Sequence, residues 1–168
     1  VAGVVLDGSG TLQIIGTGGD DNVSVSRFGK DALRVQAGFL TGQGRTLQFA
    51  NDQVYQIEIY GGAGRDALQA SGISTPVMID GGEGNDLIRG GSGDDLLVGG
   101  AGNDLIWGGE GSDVLLGGGG NDMLWDQGGR NLLIGGDGRD MLFGSLPGDI
   151  LIGGRTVFSD PPPAGTVN

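Results

Sequence analysis

The stretch from Gly81 to Phe143 decides the fold. It reads GGEGNDLIR, GGSGDDLLV, GGAGNDLIW, GGEGSDVLL and GGGGNDMLW, then a degenerate DQGGRNLLI, then GGDGRDMLF. The run fades into GSLPGDILI over residues 144–152. Each regular block holds a glycine-rich turn, an aspartate at its sixth position and a short strand. A turn made of glycines exposes its carbonyl oxygens, and a carboxylate stands beside them. That combination of oxygen donors is a cage for a hard cation such as Ca²⁺. Magnesium fits less well, because it demands a strict octahedron and keeps its waters.

Six turn residues and three strand residues reverse the chain every nine residues. Two blocks return it to the same side, giving a coil of 18 residues with two short parallel strands. Such coils stack at about 4.8 Å, the spacing of strands in any sheet. The eighth position then points inward: Ile88, Leu97, Ile106, Leu115, Leu124, Leu133, Leu142 and Leu151. This core is one residue thick per strand, too thin to offset the ordering of so much glycine unaided. Stacking also pairs the sixth positions. Asp86, Asp104, Asp122 and Asp140 form one row; Asp95, Asp113, Asn131 and Asp149 form the other. Two columns of carboxylates this close repel one another unless a cation lies between them. Folding and calcium binding are therefore expected to be one equilibrium, with the ion-free chain largely disordered. Asn131 weakens its row, since an amide ligates without charge, and Pro147 stands where other blocks have glycine.

Composition agrees. The 168 residues include 40 glycines and 5 prolines, a content that would mean disorder without the period. A period of nine rather than three excludes collagen. The net charge is −12, and 18 of the 21 acids are aspartates, the short carboxylates suited to turns. Roughly six to eight Ca²⁺ would offset that charge. Nucleic acid does not suit such a surface, because phosphate binding needs clustered Lys and Arg. Without histidine or cysteine the usual bases and nucleophiles are missing, and no GxSxG or Walker motif occurs, so no catalysis is expected. No apolar run approaches the length of a transmembrane helix. The start at Val1 suggests a processed or excised piece of a longer protein, or a mature secreted chain.

Three stretches are expected. Residues 1–60 form elongated N-terminal coils, with strands such as Leu12 to Ile15 and Val23 to Val25 and a hairpin excursion. Residues 61–154 are the repeat array, and residues 155–168, with Pro161-Pro162-Pro163, are an irregular tail. A disguised copy of the repeat spans Gly16 to Ser24, with Asp21 at position six, and a complete one spans Gly61 to Gln69, with Asp66 there. The interval from Gly61 to Gly81 is 20 rather than 18, which predicts a two-residue insertion near Gly72 to Pro76. Asp20, Asp94 and Asp126 lie off the sixth position and read as plain turn or surface residues.

The run of GGxGxDxUx blocks resembles the RTX, or haemolysin-type, calcium-binding repeats of exported bacterial proteins. Complete GGxGxD copies start at Gly61, Gly81, Gly90, Gly99, Gly108, Gly117 and Gly135. The resemblance implies a parallel β-roll with Ca²⁺ between adjacent turns, and export to a calcium-rich medium. Its ligands are the position-six carboxylates and turn carbonyls. They carry over to Asp86, Asp95, Asp104, Asp113 and Asp122, then Asp66 and Asp140, then Asp21 and Asp149. The carbonyls are those of Gly82, Gly84, Gly91, Gly93, Gly100, Gly102, Gly109 and Gly111. The fold expected is all-β, a right-handed parallel β-roll (a β-solenoid) of 18-residue coils with longer irregular coils at the N-terminus.

One feature exceeds the family pattern. Positions seven and nine should face outward, yet they are largely apolar. One sheet displays Leu87, Leu105, Met123 and Met141 beside Arg89, Trp107, Trp125 and Phe143; the other displays Leu96, Val114, Leu132 and Ile150 beside Val98, Leu116, Ile134 and Ile152. Strips of this kind are usually covered. Hairpins from residues 25–55 or a partner domain are candidate covers, and self-association into a fibre, lattice or surface layer is the alternative. Val4-Val5-Leu6 against the last coil near Ile150 to Ile152 is a possible end-to-end contact. The expected function is a secreted, calcium-stabilised, self-assembling structural module. Two other readings are a non-catalytic export and folding module of a larger exoenzyme or toxin, and an adhesive domain using Trp107, Trp125 and Phe143.

Overall fold

The structure is a computed structural model that describes residues 2–39, 46–145 and 148–153. The C-terminal tail and Pro147 lie outside the described residues. Apart from one 3₁₀ turn at Asn51–Gln53, the regular elements described are strands. They are β1 (Gly3–Leu6), β2 (Thr11–Ile15), β3 (Asn22–Phe28), β4 (Ala32–Ala37), β5 (Thr46–Ala50), β6 (Gln56–Ala63), β7 (Ala67–Ser71) and β8 (Val77–Glu83). The array continues with β9 (Leu87–Arg89), β10 (Leu96–Ala101), β11 (Leu105–Trp107), β12 (Val114–Gly119), β13 (Met123–Trp125), β14 (Leu132–Asp137), β15 (Met141–Phe143) and β16 (Ile150–Ile152).

Alternate strands fall into two sheets, ordered β1-β2-β6-β8-β10-β12-β14-β16 and β15-β13-β11-β9-β7-β3-β4-β5. From β2 onward the first sheet is parallel, and so is the second from β3 to β15. The chain is thus a β-solenoid of stacked two-strand coils. Leu97 pairs with Leu115 and Leu115 with Leu133, a step of one coil. Ile57 pairs with Val77, which carries the predicted insertion at residues 72–76. Asn22 pairs with Ala67, so the residues between β3 and β6 are an excursion from the stack.

That excursion does not cover the apolar strips. β4 and β5 add to β3 antiparallel and extend the second sheet in its own plane. A hairpin bonded edge to edge cannot also lie across a face, so the cover expected from residues 25–55 is absent among the described residues. β1 likewise pairs antiparallel with β2, leaving β1 and β16 as the two edges of the first sheet.

The core tapers along the stack. Strands β2, β3, β6, β7 and β8 each bury two apolar residues: Leu12 and Ile14, Val23 and Val25, Ile57 and Ile59, Leu68 and Ala70, Val77 and Ile79. From β9 onward each strand buries one, the eighth-position residue, through Ile88, Leu97, Ile106, Leu115, Leu124 and Leu133. The row ends before the sequence pattern does, because Leu142 is only partly buried and Leu151 is 44% exposed. The thin core expected for the nonapeptide coils is found from Ile88 to Leu133, and the N-terminal coils carry a thicker one.

Glycine at positions two and four is a steric requirement of the stack. Gly100 and Gly102 adopt φ of 110° and 136°, a region that disfavours side chains, and a Cβ on either would overlap the carbonyl of Gly82 or Gly84 in the coil before. Position three is different: a Cβ on Gly119 meets nothing within 4 Å, whereas one on Gly120 would strike the Gly102 carbonyl. Gly119→Ala is expected to be neutral or to stabilise by about 0.4–1 kcal/mol. Its neighbour, Gly120→Ala, is expected to destabilise by more than that. Thermal melting in calcium checks the pair, and equal effects would contradict the stacking.

Candidate metal centre

Each position-six carboxylate ties two coils together. The backbone N–H of Asp86 donates to Asp104 Oδ1 at 2.8 Å, and that of Asp104 to Asp122 Oδ1 at 2.9 Å. The same bond joins Asp21 to Asp66, Asp66 to Asp86 and Asp122 to Asp140. On the opposite row it runs from Val77 to Asp95, Asp95 to Asp113, Asp113 to Asn131 and Asn131 to Asp149. The sixth positions pair as the 18-residue register requires. A second ladder runs the other way on the exposed side. Asn85 Oδ1 accepts from the Asn103 N–H at 2.6 Å, Asn103 Oδ1 from Asn121, and Asn121 Oδ1 from Arg139. These are fifth positions, and nothing in the sequence reading had given them a role.

Oδ1 is therefore spent on the backbone, and the second oxygen decides the chemistry. Oδ2 of Asp66, Asp86, Asp104, Asp113, Asp122 and Asp140 is buried without a hydrogen-bond partner. An orphaned buried acceptor costs about 1–3 kcal/mol, and more when it carries charge. Six of them are comparable with the entire stability of a typical domain, about 5–15 kcal/mol. In the regular coils this oxygen shares its space with a carbonyl. The point where a Cβ on Gly81 would sit lies against Asp86 Oδ2 and 2.6 Å from the Gly99 carbonyl oxygen; Gly99 is placed in the same way against Asp104 Oδ2 and the Gly117 carbonyl, also at 2.6 Å. The arrangement recurs at Gly61 with Asp66 and at Gly117 with Asp122. Among the described residues no three acidic side chains converge, so a cation here would have at most two carboxylates and must be completed by backbone carbonyls. The donor set is all oxygen, as Ca²⁺ requires. The carbonyls nearest the carboxylates are those of position one. Those of Gly82, Gly84, Gly100 and Gly102 instead face along the stack toward the matching glycine of the next coil.

Not every expected aspartate has a spare oxygen. Asp95 Oδ2 accepts from the Gly91 N–H at 2.7 Å. Its turn stacks on the Gly72 to Pro76 insertion rather than on a GGxGxD turn, and Gly91 lacks the positive φ of Gly100 and Gly109. Asp21 is held by the Thr17 hydroxyl, 3.0 Å from Oδ2. Asp149 sits at the end of its row with Oδ1 on Asn131. Asp20 and Asp94 are exposed and accept from the Arg65 and Ser112 N–H groups, as turn residues do. Asp126 departs from expectation. It is fully buried, and its Oδ2 takes a short hydrogen bond from Asn131 Nδ2. It is no surface residue, because its block has moved the acid from position six to position one.

Burial raises the carboxylates that line the rows. Asp66, Asp95 and Asp104 are pushed up to about 6 from 3.8, chiefly by desolvation, against hydrogen bonds that lower them. Asp86, Asp113 and Asp122 move the same way for the same leading reason. An acid whose pKa is higher folded than unfolded gains stability as pH falls through the folded value, and loses it as pH rises. In chelator, acidification from about pH 7 to about pH 4 should therefore strengthen the folded signal. At half-saturating calcium the same change should weaken it, since protons displace the cation. Circular dichroism against pH under both conditions checks this, and parallel trends would contradict it.

The family model described as RTX calcium-binding nonapeptide repeat (4 copies) matches residues 80–115, 90–124 and 116–151. No curated protein and no solved structure matches the chain. Period, register and the buried orphan oxygens agree with that match. The RTX calcium-binding nonapeptide repeat model thus matches this chain over residues 80–151.

Proposed function

We propose that this chain is a secreted structural module, without catalysis of its own, whose array folds around Ca²⁺ and then self-associates. RTX repeats bind Ca²⁺, and the calcium-binding β-roll is the established part of the reading. The ligands proposed are the orphaned Oδ2 atoms of Asp66, Asp86, Asp104, Asp113, Asp122 and Asp140, completed by turn carbonyls. In the cell's exterior, millimolar calcium would keep such sites filled, which is the reason for assigning secretion. No helix among the described residues is long and apolar enough to cross a membrane. The chain is proposed to act as one stack, with residues 1–60 as its N-terminal coils and 61–154 as its calcium-dependent part.

A single observation carries the self-association: the outward strips stay uncovered. Met141 is 51% exposed, Trp125 42%, Phe143 43% and Ile150 59%. Apolar strips along the array strands of both sheets are a surface that water disfavours, and among the described residues the edges at β1 and β16 add unpaired backbone at both ends of the first sheet. The adhesive reading has an observation of its own. A shallow groove lies between Ser71, Arg89, Trp107, Trp125 and Gln127, where the Arg89 guanidinium lies 4.6 Å from the Trp107 ring centre.

Light scattering with sedimentation in millimolar calcium tests the main reading. The intact chain should form larger species. The double variant Ile150→Ser, Ile152→Ser should reduce them while the β-signal is kept. A monodisperse monomer with ordered coils would contradict self-association.

A further inference from the structure

The degenerate block, residues 126–134, rearranges its charges in a specific way. Regular blocks carry Gly at position one and Asp at position six. This block carries Asp126 at one and Asn131 at six. The backbone register is unbroken: the Asp126 N–H donates to the Phe143 carbonyl at 2.9 Å, as Gly108 does to Trp125 at 3.0 Å. Only the side chains have changed places.

Asn131 Oδ1 accepts the Asp113 N–H at 2.8 Å, the bond every position-six residue of this row makes. An N–H needs an oxygen, so the amide orientation is fixed. Its Nδ2 must then stand where other coils have Oδ2, and a donor there cannot ligate a cation. It donates instead to Asp126 Oδ2 and, at 2.6 Å, to the Gly128 carbonyl. A further contact from Nδ2 reaches Asp149 Oδ1 at 3.3 Å. The amide thus occupies the place of an ion at this step, and it also anchors the Asp126 side chain.

The other oxygen of Asp126 points one coil back. Asp126 Oδ1 accepts a long bond from the Gly109 N–H, at 3.2 Å. It lies against the position a Cβ on Gly108 would take, which is also 2.6 Å from Asp113 Oδ2. At the equivalent point in the coil before, Asp95 Oδ2 is joined by the Gly108 carbonyl. A carboxylate oxygen has therefore replaced a carbonyl beside the orphaned oxygen of Asp113, a residue only 1% exposed. Two buried carboxylate oxygens thus lie beside the same point, Asp126 Oδ1 with only the long Gly109 bond and Asp113 Oδ2 with no hydrogen-bond partner.

We infer that Asp126 and Asp113 together hold one divalent cation, in a two-carboxylate site outside the GGxGxD pattern, while Asn131 closes the following step to metal. The inference rests on the calcium reading of the array and adds a ligand that the repeat does not provide. Higher ligand charge strengthens a calcium site, so this one is expected to fill before its single-carboxylate neighbours. The next turn, sealed by an amide, is expected to take no ion.

Calorimetric calcium titration of the full chain, paired with circular dichroism, tests it. Asp126→Asn should weaken one binding step by at least about tenfold and leave the other steps in place. Asp126→Gly restores the residue that other blocks carry and should weaken the same step with the coils intact, so it keeps the comparison valid if the asparagine variant folds poorly. Asp94→Asn, at an exposed fifth-position acid beside that row, should change nothing. An Asp126→Gly isotherm superimposable on that of the unsubstituted chain would overturn the inference; the two carboxylates would then share a proton. Absence of calcium binding by the unsubstituted chain would instead overturn the reading beneath it.

Discussion

Every coil of the array is joined to the next through a carboxylate that has only half of its hydrogen bonding met by protein. One oxygen of Asp104 accepts the backbone of Asp86, and the other is buried with no donor in reach. The first oxygen sets the register, and the second makes the register unfavourable unless something positive arrives. Glycine turns allow this because a Cβ at Gly99 would fall between Asp104 Oδ2 and the Gly117 carbonyl. The space left by the missing side chain is the space a cation would use. Stacking, glycine content and ion dependence are thus one constraint seen from three sides.

The two ends of the stack handle that constraint differently. In the first coils two buried residues per strand replace one, and Asp21 has the Thr17 hydroxyl as donor. Both changes reduce the need for an ion where β4 also adds Leu33, Val35 and Ala37 to the core. Toward the C-terminus the core thins to one residue per strand, and the orphaned Oδ2 atoms that begin at Asp66 and Asp86 continue through Asp104, Asp113, Asp122 and Asp140. Burying a leucine contributes about 1.5–3 kcal/mol, while each ordered residue costs about 1–2 kcal/mol of backbone entropy. One inward residue in nine cannot hold such a coil alone.

The period was legible in the sequence because it repeats identical chemistry at a fixed spacing. From it followed the parallel coils, the inward row from Ile88 to Leu133 and the pairing of Asp86 with Asp104. Events between coils were not legible. Asp95 looks like any other sixth position, but its turn rests on the Gly72 to Pro76 insertion and bends to satisfy its own carboxylate. Asp126 looked like a turn residue because it was judged on position alone. A signal was present: one block lacked both the glycine at one and the acid at six, which is an exchange rather than two losses. The hairpin in residues 25–55 could not be assigned to a face, since strand pairing in the plane and packing across it leave the same alternation in the sequence.

Folding of the array and binding of calcium are proposed to be a single equilibrium. Circular dichroism during a calcium titration from chelator tests it most directly. Little array β-structure is expected without the ion, and a cooperative rise at roughly 0.1–1 mM, the range of extracellular calcium modules. A chain whose β-signal in chelator already equals that in calcium would contradict it.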